Sequence, residues 1–140
     1  MSRIEWDESF SMNHTEIDTQ HKKWIDIYNR MDAALLDGGP ELQMTISTEV
    51  LQAMLDYSRY HFKFEEEYLH SIAYTDIVKH ARRHKDFDTL IYQSYRAVCD
   101  GEAVLNTELL SMIKSWLLNH ILVEDRKYSQ FISNHKEQVG

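Results

Sequence analysis

Four segments of this 140-residue chain repeat apolar residues at every third or fourth position, the spacing that buries one face of a helix. Breaks separate the segments at Gly38-Gly39-Pro40, at residues 71–76 and at Asp100-Gly101. We therefore predict a single domain, residues 1–140, with helices over about 18–37, 41–70, 76–99 and 103–121, an irregular arm over about 1–17 and a short C-terminal helical tail. Short connections between long helices favour an all-α, antiparallel up-down-up-down four-helix bundle.

Polar residues interrupt the apolar stripe of every predicted helix. They are five of the chain's eight histidines and one glutamate: His21, His61, Glu65, His80, His84 and His120. At about 100° per residue, the pairs His61–Glu65 and His80–His84 each span only about 40°. A buried polar group without a partner costs roughly 1–3 kcal/mol, so six such side chains in one core need a shared partner. A metal site satisfies that need.

Alternative roles account for fewer of these residues. A lone histidine on an apolar face usually bonds a backbone carbonyl, but here all four helices contribute inward histidines. A ferritin-like carboxylate site needs two inward Glu-x-x-His motifs, and the one such motif, Glu67 to His70, ends about 180° from His61. The His-Glu-x-x-His motif of zinc hydrolases is absent. The residues predicted to face away from the core are His14, Glu66, His70 and His135.

Charge and cysteine content limit the partners and the compartment. A net charge of −8 and a pI near 5.4 disfavour nucleic acid and anionic membranes as partners. The single cysteine, Cys99, fits a reducing compartment. The first residues do not resemble a signal peptide, and no apolar run reaches the roughly 20 residues of a membrane span. We expect a cytoplasmic protein, and the sequence identifies no protein partner.

Four short motifs carry the inward residues in order along nearly the whole chain. They are Ile17-Asp18-Thr19-Gln20-His21, His61-Phe62-Lys63-Phe64-Glu65-Glu66, His80-Ala81-Arg82-Arg83-His84, and Trp116-Leu117-Leu118-Asn119-His120-Ile121 followed by Asp125. Each motif alone is weak, but the ordered set resembles the hemerythrin family in its bacterial single-domain form, the bacteriohemerythrins.

The resemblance implies two iron ions per chain, joined by a bridging oxo or hydroxo group. The implied ligands of one iron are His80, His84 and His120, those of the other are His21 and His61, and the residues that bridge both irons are Glu65 and Asp125. On this arrangement the iron with two histidines has one ligand fewer, which leaves an open position for a small molecule.

Asp125 enters through the resemblance alone. Because it follows His120 by five residues, it lies about 140° away around an ideal helix. The helix must be distorted or end there for both side chains to reach one site, and Glu124 is the local rival. Trp116 and Leu117 are candidates for lining an oxygen pocket, and both are equally compatible with a role in the bundle core.

The function that the resemblance implies is reversible binding of dioxygen by an oxygen carrier or store that is not an enzyme. No nucleophile, substrate cleft or cofactor loop is recognisable in the sequence. The alternatives that use the same site are an oxygen or redox sensor, a di-iron oxidase or peroxidase, and a protein that handles iron or nitric oxide.

Overall fold

A computed structural model of the chain describes the backbone of residues 3–37 and 40–139, and the side chains of residues 3–36 and 45–134. Its helices are α1 (Thr15–Asp37), α2 (Pro40–Ser71), α3 (Ile77–Cys99), α4 (Thr107–Asn119) and α5 (Arg126–Val139). A π-helical turn, His120–Asp125, joins α4 to α5 without leaving the helical region. No strand occurs within the described residues, and the predicted all-α four-helix bundle is confirmed.

Local chemistry explains where the helices begin and end. α1 starts at Thr15, earlier than predicted, and the ring of His14 accepts a hydrogen bond from the backbone N–H of Ile17. α4 starts at Thr107, later than predicted, because the side chain of Asn106 caps it by accepting from the N–H of Leu109. α3 ends before Gly101, whose φ of 73° favours glycine. The predicted break at Gly38-Gly39 lies outside the described residues.

The predicted irregular arm packs against the bundle. It contains a short 3₁₀ turn, Glu8–Phe10, and it buries the side chain of Ile4. The backbone of Ile4 exchanges two hydrogen bonds of 2.8 Å with the Asn29 side chain. Arg126, at the start of α5, donates to the backbone carbonyl of Ser9. The arm therefore ties the first described residues to both α1 and α5.

The core divides into two apolar clusters. The larger cluster surrounds Trp24 and Phe62, and the smaller one surrounds Ile17, Leu69 and Tyr128. The inward polar residues contact both clusters: His61 lies 5.0 Å from Trp24 of the larger one, and Glu65 accepts a hydrogen bond from Tyr128 of the smaller one. In the part of the chain that the structure describes, no helix is long and apolar enough to cross a membrane.

Candidate metal centre

All seven side chains that the sequence singled out converge at one place in the bundle. α1 contributes His21, α2 contributes His61 and Glu65, α3 contributes His80 and His84, and the π-helical turn contributes His120 and Asp125. None of the seven residues is more than 3% exposed. The amphipathic stripes place six of them, because the same helical faces that bury the apolar core carry these side chains inward.

The π-helical turn explains how Asp125 reaches the site. A π-helix bonds residue i to residue i+5, so residues five positions apart come onto the same face. Asp125 is fully buried and lies 3.0 Å from the Nε2 atom of His120. Its rival Glu124 turns the other way and pairs with Arg83 at 3.1 Å and with Lys127 at 3.3 Å. The distortion that the sequence required is therefore present, and it selects Asp125 over Glu124.

Two groups of ligand atoms can be distinguished by distance. One group, which we call the three-histidine position, consists of His80, His84, His120 and Glu65, and the other, the two-histidine position, consists of His21, His61, Glu65 and Asp125. Within each group the candidate ligand atoms all lie within 4.8 Å of one another. Either group is compact enough to hold one metal ion.

Glu65 faces both positions. Its Oε1 atom lies 2.5 Å from His80 Nε2 and 2.9 Å from His84 Nε2, whereas its Oε2 atom lies 3.2 Å from His61 Nε2. A carboxylate can accept contacts at both oxygens. Glu65 is therefore placed to join the two positions.

Asp125 also faces both positions. Its Oδ1 atom lies 3.1 Å from His80 Nε2 and 3.0 Å from His120 Nε2. Its Oδ2 atom lies 3.0 Å from His21 Nε2. The two carboxylates thus connect the same pair of positions from different helices.

Buried polar atoms without hydrogen bonds show that the cluster suits metal ions. Among the described side chains, those without a hydrogen-bond partner include His61 Nε2, both ring nitrogens of His21 and both carboxylate oxygens of Asp125. The Nε2 atoms of His84 and His120 lie 3.0 Å apart. A neutral imidazole carries one N–H, so its other ring nitrogen keeps a lone pair that can bind a metal. Imidazole nitrogens and carboxylate oxygens around two adjacent positions are a donor set that fits iron.

The carboxylates also control the protonation of the histidines. Although burial opposes it, the nearby carboxylates of Asp125 and Glu65 raise the pKa of His21 to about 9. The same two carboxylates overcome burial and raise the pKa of His80 to about 10. Burial lowers the pKa of His61, which therefore favours its neutral form. Against the effect of burial, the surrounding histidines hold the pKa of Glu65 well below its usual range.

Three further residues touch the ligands, and the sequence did not single them out. Gln20 Oε1 lies 2.7 Å from the Nδ1 atom of His61. Tyr128, fully buried, donates to Glu65 Oε2 at 3.3 Å. Glu66 Oε2 lies 2.9 Å from His84 Nδ1, a contact that its predicted outward direction did not indicate, although its side chain is 39% exposed. It points away from the stripe of its own helix, but that direction faces α3.

Aromatic rings lie against the histidines of both positions. Trp116 is half-buried, and its ring stacks on His120 at 4.6 Å between centroids. Leu117 is fully buried in the larger apolar cluster. The ring of Trp24 lies 5.0 Å from the ring of His61 and 6.2 Å from that of His21. Trp24 also lies 6.1 Å from the ring of His120, and Phe62 stacks on His84 at 4.0 Å, so an apolar wall of aromatic rings borders both positions.

The remaining histidines lie apart from the cluster. His70 is exposed, as predicted. His14 was predicted to be a surface residue, but it is half-buried because its ring packs against Tyr68 at 4.8 Å and accepts from Ile17. The side chain of His135 lies outside the described part of the structure.

Comparisons with known proteins agree with the geometry. Residues 12–132 match the family described as the hemerythrin HHE cation binding domain. The bacteriohemerythrin of Stenotrophomonas maltophilia is 28% identical over 140 residues, which is 100% of this chain and 88% of that protein. The hemerythrin-like protein of Naegleria gruberi is 32% identical over 129 residues, 91% of this chain and 92% of that protein. A solved structure of wild-type hemerythrin has a TM-score of 0.82 and 28% identity, covering 91% of this chain and 95% of that one.

Proposed function

The chain belongs to the hemerythrin family, whose members bind dioxygen at a di-iron site, and we propose that it binds dioxygen reversibly as a carrier or store. We propose the seven buried side chains as the iron ligands: His80, His84 and His120 for one iron, His21 and His61 for the other, and Glu65 and Asp125 as bridges between them. When bound, two ferrous ions supply the two electrons that reversible capture of dioxygen requires.

The unequal division of the histidines carries this proposal. Three imidazole nitrogens and one oxygen from each carboxylate would give the three-histidine position five protein ligands. The two-histidine position would receive four, because among the histidines whose side chains are described only His21 and His61 belong to it. A position with fewer protein ligands is where a small molecule can bind a metal. We therefore assign dioxygen binding to the two-histidine position.

The surroundings of that position favour binding without further chemistry. Trp24 is fully buried beside His21 and His61, and its indole N–H donates a hydrogen bond to Ser58 Oγ at 2.9 Å. Its ring therefore presents an apolar surface to the site and helps to exclude water. Excluding water removes the protons that would release a reduced oxygen product. This supports a carrier or store over an oxidase.

The test is repeated oxygenation of the iron-loaded protein. We expect two iron ions per chain, a colourless diferrous form that colours under oxygen, and bleaching under argon over many cycles. Rapid, irreversible oxidation with release of hydrogen peroxide would contradict the proposal and favour an oxidase. A sensor would show different proteolysis or oligomeric state with and without oxygen, whereas we expect both to stay unchanged.

A matched pair of variants links this activity to the site. Trp24→Phe keeps an aromatic ring beside His61 but loses the hydrogen bond to Ser58. Trp24→Ala removes the ring altogether. We expect the first variant to keep most cycles of oxygenation and the second to oxidise within a few cycles. Equal lifetimes for the two variants would show that the apolar wall does not protect the site.

A further inference from the structure

Two of the proposed ligands are anchored through their second ring nitrogen. The Nδ1 atom of His61 lies 2.7 Å from Gln20 Oε1, and that of His84 lies 2.9 Å from Glu66 Oε2. Carbonyl and carboxylate oxygens only accept hydrogen bonds, so both Nδ1 atoms carry the proton and donate it. Each Nε2 atom is then left with a lone pair directed at the cluster. The two anchors fix the tautomer that can bind a metal.

The anchors differ in charge and in surroundings. Gln20 is a neutral amide on α1, it is 5% exposed, and it holds a histidine of the two-histidine position. Glu66 is a carboxylate on α2 whose side chain is 39% exposed, and it holds a histidine of the three-histidine position. The neutral anchor therefore serves one side of the centre and the charged anchor serves the other.

This difference changes the donor strength of the two histidines. A hydrogen bond to a charged group is roughly twice as strong as one between neutral groups. A carboxylate that accepts the Nδ1 proton raises the basicity of the other ring nitrogen. His84 is thus a stronger electron donor to a metal than His61. Stronger donation stabilises the ferric state over the ferrous state.

We propose that Glu66 and Gln20 are positioning residues that give the two metal positions unequal reduction potentials, on the basis of the two-iron centre proposed above. The carboxylate of Glu66, acting through His84, lowers the one-electron potential at the three-histidine position. The amide of Gln20, acting through His61, leaves the potential at the two-histidine position higher. The iron at the three-histidine position is therefore oxidised first, and the iron at the position assigned to dioxygen stays ferrous at higher potentials.

The decisive variant is Glu66→Gln, which keeps an acceptor oxygen beside His84 and removes only the charge. We expect the first one-electron potential of the diferrous protein, measured by spectroelectrochemistry, to rise. A tenfold change in the preference for the ferric over the ferrous ion would correspond to about 59 mV for one electron. The control is Glu67→Gln, an exposed neighbour on the same helix that loses the same charge.

The converse variant is Gln20→Glu, which places a carboxylate against His61. We expect it to lower the potential of the second one-electron oxidation and so to reduce the difference between the first and second potentials. If that variant does not fold, Glu66→Gln decides the question alone. A potential in Glu66→Gln that shifts no more than in Glu67→Gln overturns this inference and leaves the proposed oxygen binding intact. Failure of the wild-type chain to hold two iron ions overturns both.

Discussion

Loading the metal-free protein with iron should release protons, because the carboxylates that would bridge the metals hold protons on the histidines beforehand. With the pKa of His21 raised to about 9 and that of His80 to about 10, both rings are cationic at pH 7 in the metal-free chain. Two imidazolium ions then balance the negative charges of Glu65 and Asp125, whose pKa values are lowered. A metal ion binds only the neutral imidazole, so it must displace these protons.

The size of the effect follows from the number of protons. Each displaced proton makes the apparent iron affinity rise about tenfold per pH unit below the pKa of its group. His21 and His80 together give about 100-fold per pH unit between pH 6.5 and about 8.5. A bridging hydroxide drawn from water would add about one further proton. The slope of log affinity against pH should therefore be about two to three, and steeper wherever His120, whose pKa the same carboxylates raise against the effect of burial, still holds a proton. Above pH 10 the slope should fall to about one, the contribution of the hydroxide.

A chelator competition under argon, repeated across this pH range, measures that slope. A slope of one or less would refute the reasoning, since the bridging hydroxide alone would account for it and neither His21 nor His80 would then carry a proton in the metal-free chain. His70→Ala is the control: that side chain is exposed and outside the cluster, so its removal should leave the slope unchanged.

The same pKa shifts link the stability of the metal-free protein to pH. Since the folded pKa values of His21 and His80 lie above the unfolded value of about 6.5, their contribution to the free energy of unfolding is fully present below pH 6.5. It is lost as the pH rises through 9 and 10. Thermal melts of the metal-free chain should show a falling melting temperature over this interval, and an unchanged melting temperature would contradict the assignment.

Three further outcomes are expected from substitutions. His61→Ala should lower bound iron well below two per chain, whereas His70→Ala should leave it at two, and equal losses in both would refute the inward-facing assignment. Asp125→Asn should reduce iron content by elemental analysis, but Glu124→Gln, one residue earlier, should not; the opposite order would make Glu124 the ligand. Leu117→Ala, which empties a fully buried site, should lower the free energy of unfolding by about 2–5 kcal/mol, and a loss under 1 kcal/mol in denaturant titrations would show that the core closes around it.

Six of the converging side chains could be predicted from the sequence because their positions obey the same period as the apolar core. His61 and Glu65 lie one helical turn apart, and the cost of burying them unpaired makes a shared partner necessary. The bundle follows from the same stripes. What could be predicted is therefore whatever depends on regular helix geometry and on burial.

The rest depends on departures from that geometry or on neighbouring helices. Asp125 reaches the cluster only through the π-helical turn. No residue pattern in that turn predicts that the helix changes there from α-helical to π-helical spacing. The contact between Glu66 and His84 could not be predicted, because periodicity locates a side chain relative to its own helix and His84 lies on α3. One feature of the sequence could have indicated the role of Gln20: it is a polar residue directly before the predicted ligand His21.

The position of the π-helical turn has a consequence for biosynthesis. The three-histidine position is completed by His120 and the two-histidine position by Asp125. Neither position exists until α4 and the π-helical turn have been made. Domains of this kind generally fold as units. A growing chain with His21, His61 and Glu65 already made would therefore carry scattered side chains rather than a metal site, and iron could bind only after the residues up to Asp125 had been made and folded.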